Sequence, residues 1–462
     1  MTLTLYRAAL AGTLAVVVGA AVSPASALTI REALAQAYRN SPQLAAERAR
    51  VRGRDEQIGQ ALANWRPRVV VEGSAGARST HYNRTAPPST RGDRESDESH
   101  PLQAGLTVTQ SLYRGGRNDA QTRRVEEEIL ADRARLSSVE QDVLLAALVA
   151  YVDVVRDTAV VELNVNNERV LTRQLEATSD RFRVGEVTRT DVALARSRLS
   201  RANADLIRAR GNLTDSRANF ANIVGVPADG LEEVEPLAGL PATEDDAVAL
   251  ARSDSFAVVR ARHGERAARQ RVLEAAGELR PTVSVSGQIA RALDLSDSNT
   301  ETDRMELTGR VTVPLYQSGA VSSRVRAAKH TVAQRRNEFL QAVRAAVTTA
   351  TKRWEDYRTA EAGIAAFTEA VRAARIALEG VEQEALVGSR TVLDVLDAEQ
   401  ELLDARVSLV RARRDLVVAT YALRSAVANL TAGSLELEVE LYDPRENYRK
   451  TRRRWYGTDI GE

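Results

Sequence analysis

Several residue types that support catalysis or metal binding are scarce or absent. The 462 residues include no cysteine, which excludes a disulfide, a thiolate metal site and a cysteine nucleophile. Aromatic residues make up only 4%, too few for several aromatic-rich globular cores. No catalytic nucleophile and base can be assembled, so we expect neither an enzyme nor a cofactor or metal. The four histidines show no metal-ligand spacing; they are His81, His100, His263 and His330.

The charge balance gives no attraction for nucleic acid. The chain has 64 Lys+Arg and 63 Asp+Glu, a formal net charge of +1. A basic protein field of the kind that attracts a phosphate backbone is therefore missing. The basic run at 449–454 is expected to be a solvated, partly disordered periplasmic tail rather than a nucleic-acid or lipid-phosphate site.

The first 27 residues have the features of a secretory signal peptide. Arg7 is followed by an apolar stretch and by Ala25-Ser26-Ala27, a small-x-small cleavage pattern. The apolar stretch is short for a spanning helix, which needs about 20 residues. The longest later apolar run, Val143–Val152, is shorter still. We therefore expect an exported chain that is periplasmic, secreted, or held in an outer membrane through β-strands.

The chain is an internal duplication. Thr29, Ser41 and the Arg66-Pro67 pair recur 214 residues later as Thr243, Ser255 and Arg280-Pro281. A second block, which includes Gly185 and Asp191, recurs 203 residues later. A period of about 200 residues is too long for a solenoid. One long unit is therefore used twice.

Each copy predicts a helix, two strands, a long helix, a tight turn and another helix. Apolar and polar residues alternate over each strand, as in the segment 102–109. This alternation fits either half-buried strands of a soluble sheet or transmembrane strands with a wet inner side. Because four strands cannot close a membrane barrel, membrane strands would require oligomers, and an open pore favours at least three subunits.

The helical segments carry a seven-residue apolar repeat, which indicates side-by-side packing along supercoiled seams. The helices Ile30–Asn64 and Thr190–Ile223 are each about half as long as the pattern Arg117–Arg183, so two stacked end to end would match it. Tyr151 and Trp354 occupy equivalent positions and are expected to pack between helices. The repeat positions are Val192, Leu199, Leu206, Leu213 and Phe220, with Val395, Leu402, Leu409, Leu416 and Leu423.

The predicted organisation follows from these patterns. A signal peptide (1–27) precedes a first repeat (28–227), an equatorial linker (228–242) and a second repeat (243–433); an equatorial strand and a basic tail complete the chain (434–462). The first repeat contains a β-hairpin at 68–112 and helices at 114–184 and 188–223. The second contains a β-hairpin at 281–314 and helices at 319–387 and 391–428.

The sequence resembles the TolC family of outer-membrane efflux and type I secretion channels. The resemblance rests on Val387–Gln400, its first-copy partner Arg181–Val192, the segment Val313–Gly319 and the duplicated Arg-Pro strand starts. It extends from Leu28 to about Tyr442.

The resemblance implies a mixed α and β membrane protein. Long α-helical hairpins would form an α-barrel tunnel, and four transmembrane β-strands per chain would contribute to a trimeric 12-stranded β-barrel. Implied partners are two further copies of the chain, outer-membrane lipid, a periplasmic adaptor protein and an inner-membrane transporter of ABC, RND or MFS type. The implied function is a passive exit duct.

The resemblance also implies a gate at the helix tips. Gly185 and Gly388 would allow each tip to turn. Asp394 and Asp397 would line the periplasmic mouth as two aspartate rings, which favour multivalent cations and raise one another's pKa. The gate arginine is matched by Arg390, and its partners on the other hairpin are matched by Thr190 and Asp191. The position of a gating tyrosine is Ala385, so one usual link is missing.

A different interpretation of the residues is a periplasmic or secreted coiled-coil structural protein without a pore. It explains the heptads and the signal peptide, but leaves the two symmetric pairs of amphipathic strands unexplained.

Overall fold

The computed structural model describes residues 28–82, 95–294 and 300–460. The predicted signal peptide lies outside the described residues. Within these ranges, no helix combines the length and the apolar character needed to cross a membrane. The described helices are α1 (Ile30–Asn40), α2 (Pro42–Ala63), α3 (Arg117–Arg183), α4 (Arg189–Val224), α5 (Glu244–Asp254), α6 (Phe256–Ala276), α7 (Ala320–Leu386), α8 (Val392–Ala426) and α9 (Pro444–Arg453).

Six strands are described in two sheets. A four-stranded antiparallel sheet has the order β1-β4-β5-β6, and β2 pairs with β3 in a separate ribbon, so the segment predicted as one hairpin at 68–112 holds four strands. The strands are β1 (Arg68–Ala75), β2 (Arg78–Tyr82), β3 (Glu95–Ser99), β4 (Leu102–Arg114), β5 (Thr282–Leu293) and β6 (Glu301–Thr312).

The helix predicted over Ile30–Asn64 is in fact two helices, which meet at Ser41. Proline disfavours helical backbone in the residue before it and has no amide hydrogen, so Pro42 ends α1 and begins α2. The Ser41 amide donates to the carbonyl of Ala37, 3.0 Å away, and its hydroxyl accepts from the Leu44 amide at 3.3 Å. In the second copy, Ser255 occupies the same break between α5 and α6.

Two long helices set the length of the molecule. Helices α3 and α7 each contain 67 residues, about 100 Å at the rise of an α-helix. Near the sheet, α2 and α6 flank α3, whereas α4 and α8 flank it toward the opposite end. The half-length helices therefore lie along the long helices, one pair after the other. Half of the heptad positions are buried and the rest half-buried.

The main core lies where α1, α3, α4 and α8 meet the connecting segments 228–237 and 430–442. Tyr151 and Phe220 are fully buried there, with their rings edge to face at 6.1 Å between centroids. The Tyr151 hydroxyl also hydrogen-bonds the carbonyl of Leu28 at 2.6 Å and accepts from the Glu232 amide at 2.9 Å. Tyr151 thus ties Leu28 to the linker. Trp354 of α7 packs against the cluster that contains Ala247 of α5 and Leu423 of α8, so both Tyr151 and Trp354 pack between helices, as predicted.

The prediction of an equatorial strand after residue 434 was wrong. Backbone amides of Leu435 and Leu437 bond back to Thr431 and Ala432 at 3.0 Å, and Glu436 has a φ of +51°. The Ser434 hydroxyl accepts from the Thr431 amide, which favours a turn. Leu435 and Leu437 are both buried in the main core, so their spacing reflects turn packing rather than strand alternation.

The C-terminal residues 444–453 form α9 on the surface of α2, so the partial disorder predicted for the basic tail was wrong there. The basic side chains of the run 449–454 are exposed, as predicted. Asp443 caps this helix by accepting from the Arg445 amide at 2.8 Å. Asn447 donates to Asp55 at 3.0 Å, and the buried Thr451 donates to Glu56 at 3.1 Å. The residues of α9 that face α2 are polar and are spaced three to four positions apart, as on one side of a helix. The arginines between them made this pattern hard to recognise in the sequence.

Candidate functional site

The two helix tips are tight turns of the same geometry. Gly185 has a φ of +81° and Gly388 a φ of +79°, which L side chains adopt only with strain. Beyond Gly388, the Ser389 amide donates to the carbonyl of Glu384 at 2.9 Å and closes the end of α7. A Cβ at either glycine would meet no neighbour among the described residues. The backbone angle, not crowding, is the reason for glycine.

Each tip turn is followed by a reciprocal cap that explains two of the predicted acidic residues. The Asp394 carboxylate accepts from the Thr391 amide and hydroxyl, both at 2.8 Å, and Asp191 does the same with Thr188. These bonds, to the Thr391 backbone first, hold the pKa of Asp394 below its usual value. The mutual raising expected for an aspartate ring would come from the carboxylates of neighbouring chains.

Arg390, the predicted gate arginine, is paired within its own hairpin. Arg390 donates from Nε to Glu384 at 2.7 Å, and both side chains are half exposed. Thr190 is exposed and Asp191 is engaged by Thr188. The structure therefore does not bring Arg390 together with Thr190 or Asp191 within one chain.

The sequence interpretation missed a contact that joins the two hairpins. Arg198 on α4 forms an ion pair and hydrogen bond with Asp397 on α8. The Arg198 side chain is 24% exposed and that of Asp397 is 55% exposed. No motif identifies Arg198 as a partner, because the register between α4 and α8 decides which side chains meet.

An apolar cluster lies directly behind this ion pair. Leu171, Ala195 and Ala202 from the first hairpin pack with Val392 and Leu396 from the second. Leu396 is only 2% exposed, whereas its neighbour Leu393 is 41% exposed. Although Val392 directly follows the tip, it is buried because the second hairpin lies against the first. We call these five residues the tip cluster.

Another carboxylate near the tips was also missed. Burial raises the pKa of Glu399, the nearby negative charge of Glu382 raises it further, and Arg406 opposes both effects. Glu382 lies on α7 and Glu399 on α8. The pair therefore places like charges across one hairpin, so acidification weakens their repulsion.

At the other end of the molecule, the four-stranded sheet has one apolar and one polar face. Cross-strand pairing aligns Val71, Leu106, Ile289 and Met305 in one row, and Val69, Val108, Gly287 and Leu307 in the next. On the opposite face, Thr107, Gln288 and Glu306 lie side by side. We call the side that carries the first two rows the apolar sheet face.

The apolar sheet face is uncovered by any other described part of the chain. Val71, Met305 and Leu307 are 76%, 81% and 79% exposed. A half-buried sheet of a soluble protein would instead pack its apolar side onto a core. The alternation predicted from the sequence is present, with its apolar side facing outward.

A metal site within one chain is not seen. No cluster of three or more histidine, cysteine or acidic side chains suited to a metal ion occurs in ranges 28–82, 95–294 and 300–460. Asp394 and Asp397 lie one turn apart on α8, but one caps the helix and the other pairs with Arg198.

Comparison with known proteins identifies relatives over nearly the whole chain. The family model described as outer membrane efflux protein matches residues 33–226 and 247–429. Outer membrane efflux protein BepC of Brucella suis is 31% identical over 437 residues, which are 93% of this chain and 91% of BepC. Outer membrane protein TolC of Escherichia coli is 26% identical over 445 residues, 91% of this chain and 87% of TolC. The fold is that of the Campylobacter jejuni CmeC outer membrane channel, with a TM-score of 0.75, 15% identity and 98% coverage of each chain.

Proposed function

Because this chain belongs to the outer membrane efflux protein family, we propose that it is the exit duct of a tripartite efflux or type I secretion system. It is located in the outer membrane of a Gram-negative bacterium and has a large periplasmic extension. Conduction through such a duct is passive, so the chain performs no catalysis. The observation that carries the proposal is the uncovered apolar sheet face at one end of helices of 67 residues.

We propose that the duct is a homotrimer. In one chain, β1 and β6 are the two edges of the four-stranded sheet, and open edges favour pairing with further strands. Two copies would give a barrel of eight strands, in which side chains fill the interior. Three copies would give twelve strands and leave an open lumen. The apolar sheet face would then contact outer-membrane lipid.

The helical part provides the reach toward partners. Helices of about 100 Å lead away from the sheet and end at the two tips, which we place in the periplasm. We propose that a periplasmic adaptor protein binds this end and links it to an inner-membrane transporter of ABC, RND or MFS type. The energy for transport comes from that transporter.

We propose that the tips are the gate. Gly185 and Gly388 form the turns, and Asp394 and Asp397 converge as two rings around the threefold axis, where multivalent cations bind. The Arg198–Asp397 ion pair and the tip cluster hold the two hairpins of one chain together. Arg390, Thr190 and Asp191 remain candidates for links between hairpins of neighbouring chains.

Single-channel conductance in a planar bilayer tests the duct and the gate together. The purified protein should show a steady small conductance that millimolar divalent or trivalent cations block from one side. The double variant Asp394→Ala/Asp397→Ala should lose that block. Asp404→Ala on the same helix is the matched control, since Asp404 is paired only with Gln400 among the residues described.

Opening variants separate a sealed duct from a protein without a pore. Arg198→Gln removes the link between hairpins and should raise conductance, whereas Arg208→Gln, a 72% exposed arginine on the same helix, should not. If Arg198→Gln and Arg390→Gln proteins were both folded and silent, the duct would be excluded and a structural coiled coil would be favoured. A rod of that kind would also leave the membrane fraction in high salt.

Ala385 supplies a further test of the gate. The residue is half-buried in the last turn of α7, directly before the final residue of that helix. Ala385→Tyr should lower the resting conductance by adding a hydrogen-bonded link. An unchanged conductance would contradict the proposal that the missing tyrosine loosens the closed state.

A further inference from the structure

A cavity unrelated to the duct lies beneath the C-terminal segment. It has a volume of about 370 Å³, is partly open to solvent, and is lined by α2, α3, α6 and the segment that leads into α9. We call it the belt cavity. Its lining includes Arg48 from α2, Arg133 from α3, His263 from α6, and Tyr442 and Arg445 from the C-terminal segment.

The belt cavity has an excess of positive charge. Arg48, Arg133 and Arg445 line it, against one lining carboxylate, Glu140. Burial raises the pKa of Glu140, whereas the hydrogen bond from the Ala432 amide at 2.7 Å and the charge of Arg48 lower it. His263 is engaged by Glu127 at 2.6 Å. An anion inside this cavity would therefore meet a favourable potential.

Two of the arginines hold buried donors ready for a ligand. Among the described residues, Nη2 of Arg48 and both Nε and Nη2 of Arg133 are buried without a hydrogen-bond partner, as is the Tyr442 hydroxyl. Nη2 of Arg133 faces Oδ1 of Asp55 at 3.7 Å, and that buried oxygen also lacks a hydrogen-bond partner, so Nε is the donor of Arg133 that has no acidic neighbour of this kind. The distance of 3.7 Å is that of an ion pair but not of a hydrogen bond.

The arginine donors are also fixed in place. The Arg48 guanidinium lies 4.4 Å from the ring centre of Tyr38 and 5.5 Å from that of Tyr442. The Arg133 guanidinium lies 5.2 Å from the ring centre of Tyr448 on α9. Stacking on aromatic rings orients a guanidinium without using its N–H groups. The donors are preorganised, so an anion would not have to order them.

The remainder of the cavity wall is hydrocarbon. Leu44, Leu130, Leu136, Phe256 and Val259 line the space beside the arginines. A volume of about 370 Å³ is at the lower end of small-molecule sites, which combine an apolar wall with a few polar groups. The combination fits a compact anion with an apolar body better than it fits an inorganic ion.

We propose that the belt cavity binds a small organic carboxylate. Its acid group would accept from Nη2 of Arg48, from Nε of Arg133 and from the Tyr442 hydroxyl. Its apolar body would lie against Leu130, Phe256 and Val259. Because Tyr442 and Arg445 belong to the C-terminal segment, the bound carboxylate would tie that segment to the helices and stabilise the folded chain.

Calorimetric titration of the purified full chain with sodium benzoate tests this site. Acetate, inorganic phosphate and chloride at equal ionic strength serve as comparison probes. Benzoate should bind once per chain and raise the melting temperature, and acetate should bind at least tenfold more weakly. Arg48→Gln and Arg133→Gln should each weaken benzoate binding at least tenfold. Arg449→Gln, on α9 and paired with Asp443, should leave it unchanged.

Tyr442→Phe keeps the test decisive if an arginine variant fails to fold. It preserves the ring under Arg48 and removes only the unpartnered hydroxyl, so benzoate affinity should fall severalfold with the helix content intact. The proposal is overturned if benzoate does not bind, if phosphate or chloride binds equally well, or if the folded arginine variants bind as the natural protein does.

Discussion

At the scale of single residues, the tips are built from three local interactions that occur in both copies. A left-handed glycine turns the chain, a threonine caps the next helix, and an aspartate completes the cap. The same aspartates are the candidates for the gate. A carboxylate that receives two hydrogen bonds from Thr391 is fixed in direction, so its structural role positions it for the proposed role at the mouth.

Removal of a cap should loosen a tip without unfolding the rest. Thr188→Ala deletes the hydroxyl that accepts from the Asp191 amide at 3.2 Å, and such losses amount to about 1 kcal/mol. Amide hydrogen exchange of residues 184–192 should become faster by severalfold, while α3 near the sheet stays protected. Thr188→Ser keeps the hydroxyl and should exchange like the natural protein; fast exchange in that variant would contradict this assignment.

The ionisation of Tyr151 should lower the stability of the folded chain at alkaline pH. Burial raises its pKa to about 12, above the usual value of about 10. The unfolded chain therefore loses this proton first, and the stability gained from neutral Tyr151 declines as pH rises from about 10 to 12. Burial also raises the pKa of Tyr421, Tyr442 and Tyr448, so the measured quantity is the difference in stability between the natural protein and Tyr151→Phe.

For that comparison, melting temperature is followed from pH 7 to pH 12. Tyr151→Phe should destabilise the neutral protein by about 1–3 kcal/mol, because the Leu28 carbonyl and the Glu232 backbone lose their partner. The difference in melting temperature between the two proteins should become smaller above pH 10. A constant difference would show that Tyr151 does not ionise in this range.

At the scale of helices, a break in a helix depends on neighbouring residues, whereas a contact between helices depends on residues far apart in the chain. The break at Ser41-Pro42 is local, since proline enforces it. The equivalent break at Ser255 precedes Phe256, so only the internal duplication indicates it. The contact between hairpins at the tip cluster depends on how α4 and α8 align.

The tip cluster should govern how easily the two hairpins separate. Leu396→Ala removes a nearly fully buried side chain, and such changes destabilise by about 2–5 kcal/mol when neighbours cannot collapse. We expect faster hydrogen exchange at both tips and a higher single-channel conductance. Leu393→Ala, one turn earlier on the same helix and exposed, is the control. Equal effects of the two changes would exclude the tip cluster as the contact that holds the two hairpins together.

At the scale of the whole molecule, the sheet determines where the protein is located. Apolar residues of all four strands form one continuous, exposed face, and the other side of the sheet is polar. Leu307→Arg places a charge on that face, at a cost of about 2–4 kcal/mol near the centre of a bilayer. The fraction of protein recovered in the outer membrane after a high-salt wash should fall.

The opposite face of the same strand supplies the control. Glu306→Arg changes charge one residue away but points to the polar side, so outer-membrane recovery should be unchanged. Loss of recovery in both variants would indicate a general folding defect rather than contact of the apolar sheet face with lipid.

The sequence by itself determined the periodic features: the duplication, the heptads, the strand alternation and the glycine and threonine of each tip. The duplication is visible by comparing the two halves of the chain, and each of the other features depends on residues a few positions apart, whose relative geometry follows from the local backbone. Only the tertiary structure decided that Asp397 meets Arg198, that Leu435 and Leu437 lie in a turn, and that the basic segment forms α9. These outcomes depend on which distant surfaces face one another. The outward direction of the apolar sheet face belongs with them, because alternation specifies two faces but not which one is covered.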